Sequence, residues 1–468
     1  MPTHPTDPTG STGLTGSTTP TPPPPKDASA DAGAGDGVRA EDAGAEDLAL
    51  GDWPGFTADP YPRYAELRAT GPVHPVRLPL GAPQWLVTDG AAIRAGLTDT
   101  GRLRNDIRHS ASWTSDGGHA VGRNMLQVDP PDHTRLRRLV AREFTARRVS
   151  ALRPRVQEIA DSLLDAVERD GRVFDLVDAY GFPLPVTVIC ELLGVPVADR
   201  GPFRAWSAAV VDPTDPAAGQ RANEEMAAYF LGLIERKRAL PAGAAESDLL
   251  HAVIHSAGGA EDENGALDTE ELLGMAFVLL VAGHETTAHL ISSAVHHLLR
   301  HPDQLAALRA DWTLLDGAIE ETLRYEPPVQ ATSYRHTAAP VDFGTPGGPG
   351  STAGPGGPAG PVGTGAGTRI AAGEPVMFSI AAANRDPERF PDPDRFDIHR
   401  DPAATRAHLS FGHGIHHCLG APLARLEGAI ALRTLLERFP DLTLADEAAP
   451  PDWRPGLLRG LNRLPLRR

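Results

Sequence analysis

The stretch Phe411-Gly412-His413-Gly414-Ile415-His416-His417-Cys418-Leu419-Gly420 decides how the rest of the chain is read. Two glycines precede the cysteine and one follows closely, the composition of a tight loop whose backbone passes near a flat ligand. Ala421, Leu423, Ala424, Leu426, Glu427 and Ala429 after it are good helix formers. Cys418 therefore stands near a helix N-terminus, where amide N–H groups and the helix dipole favour a thiolate. A thiolate held this way suits the axial position of a haem iron. Two other uses stay open at this point. His413, His416, His417 and Cys418 offer zinc-ligating atoms, although one sulfur among glycines does not match the usual paired spacing. Cys418 can also be read as a nucleophile paired with a histidine.

The rest of the chain bounds these readings. Its 468 residues, 41% hydrophobic, suffice for one large core or two ordinary domains. A net charge of −17 argues against nucleic acid as a partner, because phosphate binding needs a basic surface. Lys26 and Lys237 are the only lysines; the bias to Arg, Ala, Gly and Pro points to a GC-rich genome of actinobacterial type. Cys190, the other cysteine, lies in the apolar stretch Val186 to Leu193 and reads as core, so no disulfide framework is expected. No basic-then-apolar leader opens the chain, and the longest apolar run, Leu272 to Gly283, is short of the ~20 residues that span a bilayer. These features predict a cytoplasmic protein with no membrane partner.

Residues 1–50, rich in Pro, Gly, Ser, Thr, Ala and Asp, are expected to be a disordered leader, because they hold too few large apolar groups to offset ordering entropy. Residues 51–468 are expected to form one domain, mainly α with a minor β part. Helices are predicted over Tyr61 to Ala69, Asp132 to Glu143, Val149 to Arg169, Pro185 to Leu193, Arg221 to Ala239, Asp268 to Arg300, Pro302 to Arg309, Leu314 to Tyr325, and from Cys418 to about Phe439. Strands are predicted over Val73 to Val76, Gln84 to Thr88, near Val341, and over Arg369 to Ile370 and Pro375 to Ser379. Residues 344–368, nearly all Gly, Pro, Thr, Ser and Ala, read as a flexible insertion in the hairpin from Val341 to Ile370. Such an insertion costs little, since loop-closure entropy grows slowly with length.

The helix from Asp268 to Arg300 opens with the spacing of a capping box, Asp268 and Glu271, and is apolar on nearly every face of its first half. Ala282-Gly283-His284-Glu285-Thr286-Thr287 interrupts that pattern. An acid, hydroxyls and a glycine here read either as a proton relay beside a groove, with Gly283 admitting a ligand to the backbone, or as a helix end emerging into solvent. Glu321 and Arg324 stand three apart on one helix face, a spacing common to surface pairs. Arg395, farther on, offers a second cation that closes a three-way network.

Taken together, these motifs resemble those of the cytochrome P450 family from about Trp53 to the C-terminus. The cysteine loop Phe-x-x-Gly-x-x-x-Cys-x-Gly is matched by Phe411, Gly414, Cys418 and Gly420. The oxygen-activating motif Ala/Gly-Gly-x-Asp/Glu-Thr is matched by Ala282, Gly283, Glu285 and Thr286, and Glu-x-x-Arg by Glu321 and Arg324, with Arg395 as the later arginine. The resemblance implies a triangular helical prism around a buried haem b. It implies that Cys418 is the iron ligand, that Glu285 and Thr286 manage proton delivery to dioxygen, and that Glu321, Arg324 and Arg395 lock the core behind the haem. It also implies that His133, Arg137, Arg335 and His416 hold the haem propionates, as cationic donors suit carboxylates.

In family terms the chain is similar to the soluble bacterial members that tailor macrolides and other polyketides in secondary metabolism. The expected reaction is insertion of one oxygen atom from O2 into an apolar small molecule, by a monomer. An oxidative coupling enzyme, a peroxide-driven one and a non-catalytic haem- or zinc-binding protein are the alternatives. With no flavin domain and no cysteines for an iron–sulfur cluster, electrons are expected from a ferredoxin and an NAD(P)H-fed ferredoxin reductase. Arg135, Arg137, Arg138, Arg142, Arg147 and Arg148 are the candidate docking patch. The segments Asn105 to Met125, Trp206 to Tyr229 and Val329 to Thr332, with Ala282, are the candidate pocket walls.

Overall fold

The computed structural model describes residues 37–40, 42–43, 55–77, 83–106, 123–211, 215–242, 248–255, 267–332, 335–344 and 367–468. Most of the expected leader and nearly all of the 344–368 insertion lie outside the described residues.

The fold is organised by the helix Thr269–Arg300. Its capping box is complete: the Glu271 amide donates to Asp268 Oδ1 at 2.8 Å, and the Asp268 amide donates to Glu271 Oε2 at 3.2 Å. It ends at His301, where Pro302 begins the helix Pro302–Ala310 and cannot continue the hydrogen-bond ladder. Helices Pro183–Leu193, Pro216–Arg238, Leu315–Tyr325 and Ala421–Arg438 pack around it. Two large apolar clusters result. One joins its C-terminal half to Arg153–Asp170 and Ala421–Arg438, and the other joins its N-terminal half to Pro183–Leu193 and Pro216–Arg238. Among the described residues it is the one helix long and apolar enough to cross a membrane, and two thirds of its apolar window is buried within the protein.

The most continuously buried part of this helix is its second half, contrary to the sequence-based expectation. Thr287 to Leu298 are all buried, including Ser292, Ser293, His289, His296 and His297. Helices and C-terminal strands far away in sequence cover these polar positions, which an apolar count along the helix cannot register.

The β part centres on a five-stranded sheet in the order Val73–Arg77, Pro83–Val87, Pro375–Phe378, Arg335–Thr337 and Leu103–Arg104. Pro83–Val87 and Pro375–Phe378 run parallel; the other pairs are antiparallel. Val341–Phe343 pairs antiparallel with Thr368–Ile370, so the expected hairpin is present on both sides of the insertion. Within the expected leader, Val38 bridges Ile370 in parallel and the Ala40 amide donates to Glu374 Oε2 at 2.9 Å.

Several elements escape the sequence reading. Gly90–Thr98 and Phe203–Val211 are helices, and the C-terminal residues form one two-stranded sheet and, with Val173–Asp175, a three-stranded one. The single helix expected from Val149 to Arg169 is split at Leu152, because Pro154 starts a new helix, Arg153–Asp170.

Candidate functional site

Cys418 sits between the short 3-10 turn Gly414–His416 and the helix Ala421–Arg438. The Cys418 amide donates to Phe411 O at 2.8 Å, closing the loop. Gly414 is required there: its φ is +71°, and a Cβ would lie 2.7 Å from Leu97 O. The amides of Gly420 and Ala421 donate to the sulfur. The thiol faces a cavity rather than bulk water, so it is open by surface area yet surrounded by protein. Burial pushes its pKa up despite those amides and the nearby Arg137 and Arg425. The expected helix-stabilised thiolate is thus only partly provided by the protein.

That cavity, with about 1180 Å³ of free space including its mouth, has Phe411, His416 and Cys418 on one wall. Val278, Ala282, Gly283, Thr286 and Thr287 of the long helix line it as well, and Met125, Leu126, Pro328 and Val329 add apolar surface. Met125, Val329 and Ala282 belong to the expected pocket walls. Trp206 to Tyr229 contribute no residue to the lining among those described, and residues 107–122 lie outside the described residues. Gly283 also serves packing, since a Cβ there would lie 3.2 Å from two Ile189 side-chain carbons.

The cationic candidates converge at one edge of the cavity. Arg137 and His416 line it. The rings of His133 and His416 lie 4.3 Å apart, and Arg335 acts electrostatically on His416. His133 is 2% exposed, and neither of its ring nitrogens has a hydrogen-bond partner among the described residues; the same holds for His416 Nδ1. Arg335, equally buried, makes one long bond, to Leu103 O at 3.4 Å. Burial, then the neighbouring His133, Arg335 and Arg137, drives the His416 pKa down to about 3. Burial brings Arg335 down to about 10. Each buried polar group without a partner costs about 1–3 kcal/mol. His133 and His416, each with an imidazole N–H to offer, and Arg335, with its one long bond, together fit an anion from outside the chain at this edge, and the carboxylates of a porphyrin meet that requirement on the same cavity as the sulfur.

Thr286 and Glu285 part company. The Thr286 hydroxyl lies at the cavity and donates to Ala282 O at 2.8 Å, and Thr287 donates to Gly283 O at 3.3 Å. Glu285 is buried and does not line the cavity. Its carboxylate meets Arg454 Nη1 at 3.2 Å, His284 Nε2 at 3.6 Å and His289 Nε2 at 3.8 Å. Burial would raise its pKa, but these groups together hold it down at about 2. The relay candidates therefore lie mid-helix, Glu285 buried and Thr286 at the cavity, and the reading of a helix end in solvent is overturned.

Glu321 and Arg324 form a bidentate pair, at 2.7 and 2.8 Å, with both side chains 0% exposed. The expected third member is different. The Arg395 guanidinium turns outward to Asp397, and only its carbonyl accepts from Arg324, at 3.1 Å. Arg400 supplies the second cation, with Nε donating to Glu321 Oε1 at 3.1 Å. The chain bends between the two arginines, and Asp397 neutralises the first. Arg454, His289 and Arg400 were not singled out from the sequence: Arg454 reaches Glu285 across 169 residues, and no local spacing signals that contact.

A model of the cytochrome P450 family matches residues 210–345 and 365–462. The chain is 52% identical over 416 residues to cytochrome P450 monooxygenase PikC of Streptomyces venezuelae, covering 88% of this chain and 92% of that protein. It is 43% identical over 426 residues to 6-deoxyerythronolide B hydroxylase of Saccharopolyspora erythraea, covering 88% and 96%. The solved structure of the tirandamycin C-bound P450 monooxygenase TamI matches with a TM-score of 0.75 and 40% identity, over 88% of this chain and 98% of that one. A cysteine at an apolar cavity, unpartnered nitrogens at its edge and this similarity along nearly the whole body agree: the chain belongs to the cytochrome P450 family and is a haem b monooxygenase.

Proposed function

We propose that this P450 hydroxylates or epoxidises a macrolactone or related polyketide, with Cys418 as the thiolate ligand of the iron and His133, Arg137, Arg335 and His416 as the propionate site. One observation carries the reading: a single cavity brings together the Cys418 sulfur, the Thr286 hydroxyl and a mostly apolar lining. Haem, when bound, activates dioxygen so that one oxygen atom is inserted into the substrate and the other leaves as water. The protein's own groups do the rest. Apolar walls bind and orient the substrate by removing its surface from water. Thr286, having donated its proton to Ala282 O, offers oxygen lone pairs to a water in the cavity. Glu285 takes up protons from solvent and passes them to the Thr286 side.

The substrate class follows the relatives, two of which are named for macrolides or their precursors. We assign the electron supply to a ferredoxin and ferredoxin reductase, at the exposed Arg138, Arg142 and Arg147, and the protein to the cytoplasm as a monomer. The division into a leader over 1–50 and a body over 51–468 with an insertion at 344–368 stays a proposal.

The test is direct. Holoprotein supplied with NADPH, ferredoxin, reductase, labelled dioxygen and 6-deoxyerythronolide B or other macrolactones should give products carrying one labelled oxygen atom. Glu285→Gln should slow this turnover by ~100-fold or more, the usual contribution of a positioned proton-transfer group. Labelled product from terpenes or steroids but from no macrolactone would refute the substrate class. An unchanged rate in Glu285→Gln would refute the relay.

A further inference from the structure

The long helix directs Glu285 away from the cavity and toward the hairpin formed by Asp452–Trp453 and Leu461–Arg463. Among the described residues, the charged and titratable groups that face its carboxylate are His284 and His289 from its own helix and Arg454 from the hairpin. Ser207, on Phe203–Val211, joins through His284. These neighbours are not equivalent. His284 already has partners at both nitrogens: Nδ1 is 2.7 Å from Leu280 O, and Nε2 is 2.8 Å from Ser207 Oγ. Burial depresses the His289 pKa to about 4, so this imidazole is uncharged at neutral pH. Arg454 is the permanent cation of the group, because a guanidinium does not deprotonate in proteins.

Arg454 also differs in its access to water. Its side chain is 20% exposed, against 3% or less for Glu285 and His284 and 5% for His289. The Arg454 amide donates to Gly460 O at 2.9 Å, which fixes the residue at the base of the hairpin turn.

We propose that Arg454 is the counter-ion that orients the Glu285 carboxylate and gives this otherwise enclosed acid its opening to solvent. Protons reach Glu285 from the hairpin side, so their entry is separate from the mouth through which substrate enters. Arg454 is a positioning residue: it acts through Glu285 and touches neither the cavity nor the substrate. The inference rests on the reading of Glu285 as a relay, but its test reads the carboxyl group itself. Its failure is therefore distinguishable from failure of that reading, which the Glu285→Gln turnover assay decides.

The experiment is an infrared pH titration of the protonated carboxyl band of Glu285 in the holoprotein, assigned by its loss in Glu285→Gln. Removing a close cation raises a carboxyl pKa by about one to three pH units. Arg454→Gln should move the midpoint up by that amount and slow hydrogen–deuterium exchange of the band. Arg454→Lys, which keeps the charge, should restore most of both. Arg454→Met replaces the Gln variant if that one does not fold. A midpoint and an exchange rate that stay with the wild type in the neutral variant overturn the proposal, as does a Lys variant that behaves like the neutral one.

Discussion

A Cβ placed on Gly460 would lie 1.8 Å from Nδ1 of His289 and 2.2 Å from its Cγ, so the C-terminal hairpin rests its backbone directly on that imidazole. The contact joins the hairpin that carries Arg454 to the helix that carries Glu285. Gly460→Ala should therefore destabilise the protein by about 1–3 kcal/mol, the usual cost of overfilling a packed interior. The double variant Gly460→Ala/His289→Ala should recover part of that loss in urea denaturation, because the obstructing ring is gone. Strictly additive losses would mean that the clash is relieved elsewhere.

Cys418→Ser replaces the sulfur but keeps the loop, whose closure depends on the Cys418 amide and Phe411 O rather than on the side chain. The variant should fold. Its reduced carbon monoxide complex should lack the red-shifted absorbance that thiolate ligation produces, and oxygen insertion should stop. Retained activity would remove Cys418 from the site.

The Glu321 network allows a prediction that separates two arginines. Glu321→Gln strips the charge that compensates a fully buried Arg324 and should cost about 3–5 kcal/mol. Arg400→Ala should lower the denaturation midpoint less, since Arg324 keeps its own bidentate contact with Glu321. Arg395→Ala should leave the midpoint unchanged, because its guanidinium is 65% exposed and bound to Asp397. If Arg395→Ala were instead the more damaging of the two arginine variants, the assignment of the third member to Arg400 would fail.

These contrasts show what the chain revealed before folding and what it withheld. The cysteine loop was legible because its chemistry is local: glycines, sulfur and a helix start lie within ten residues. The Glu321–Arg324 pair was legible because helix geometry fixes a three-residue spacing. Arg400 was not, because its choice over Arg395 depends on a bend and on Asp397 taking the first arginine. Arg454 and Gly460 were invisible, since short C-terminal strands without strong alternation decide their position against a helix far away in sequence. The unpartnered nitrogens of His133 likewise exist only once the chain is folded.

His296 provides a pH prediction. Burial, then the nearby His297 and Arg300, lowers its pKa from 6.5 to about 3. In the unfolded chain it takes up a proton near pH 6.5, whereas the folded state refuses it until about pH 3. The unfolded state therefore binds more protons throughout that window, and stability falls as pH is lowered, by up to ~1.4 kcal/mol per pH unit. Between about pH 7 and about pH 5 this one group should remove roughly 2 kcal/mol. His296→Phe, which keeps an aromatic ring beside Trp453, should lose correspondingly less stability over the same range in urea titrations. Equal losses in the two proteins would show that His296 is not the group responsible.

The arginine-rich stretch after residue 134 does not act as one patch. Arg135 is committed to Glu271 at the start of the long helix, and Arg137 lines the cavity and donates to His417 O at 2.5 Å. Arg148 pairs with Glu143. Arg142 and Arg147 are exposed, and no ion pair engages them among the described residues. A partner presenting carboxylates would find its free cations there, close in sequence to the helix that carries Arg137. Long-range attraction of this kind raises association rates and is screened by salt. Reversing both charges, Arg142→Glu with Arg147→Glu, should slow reduction by a ferredoxin several-fold at low ionic strength, and the difference should shrink as salt is added. Reduction by dithionite, which needs no docked protein, should be unaffected. Equal ferredoxin-driven rates at low salt would place the docking site elsewhere on the surface.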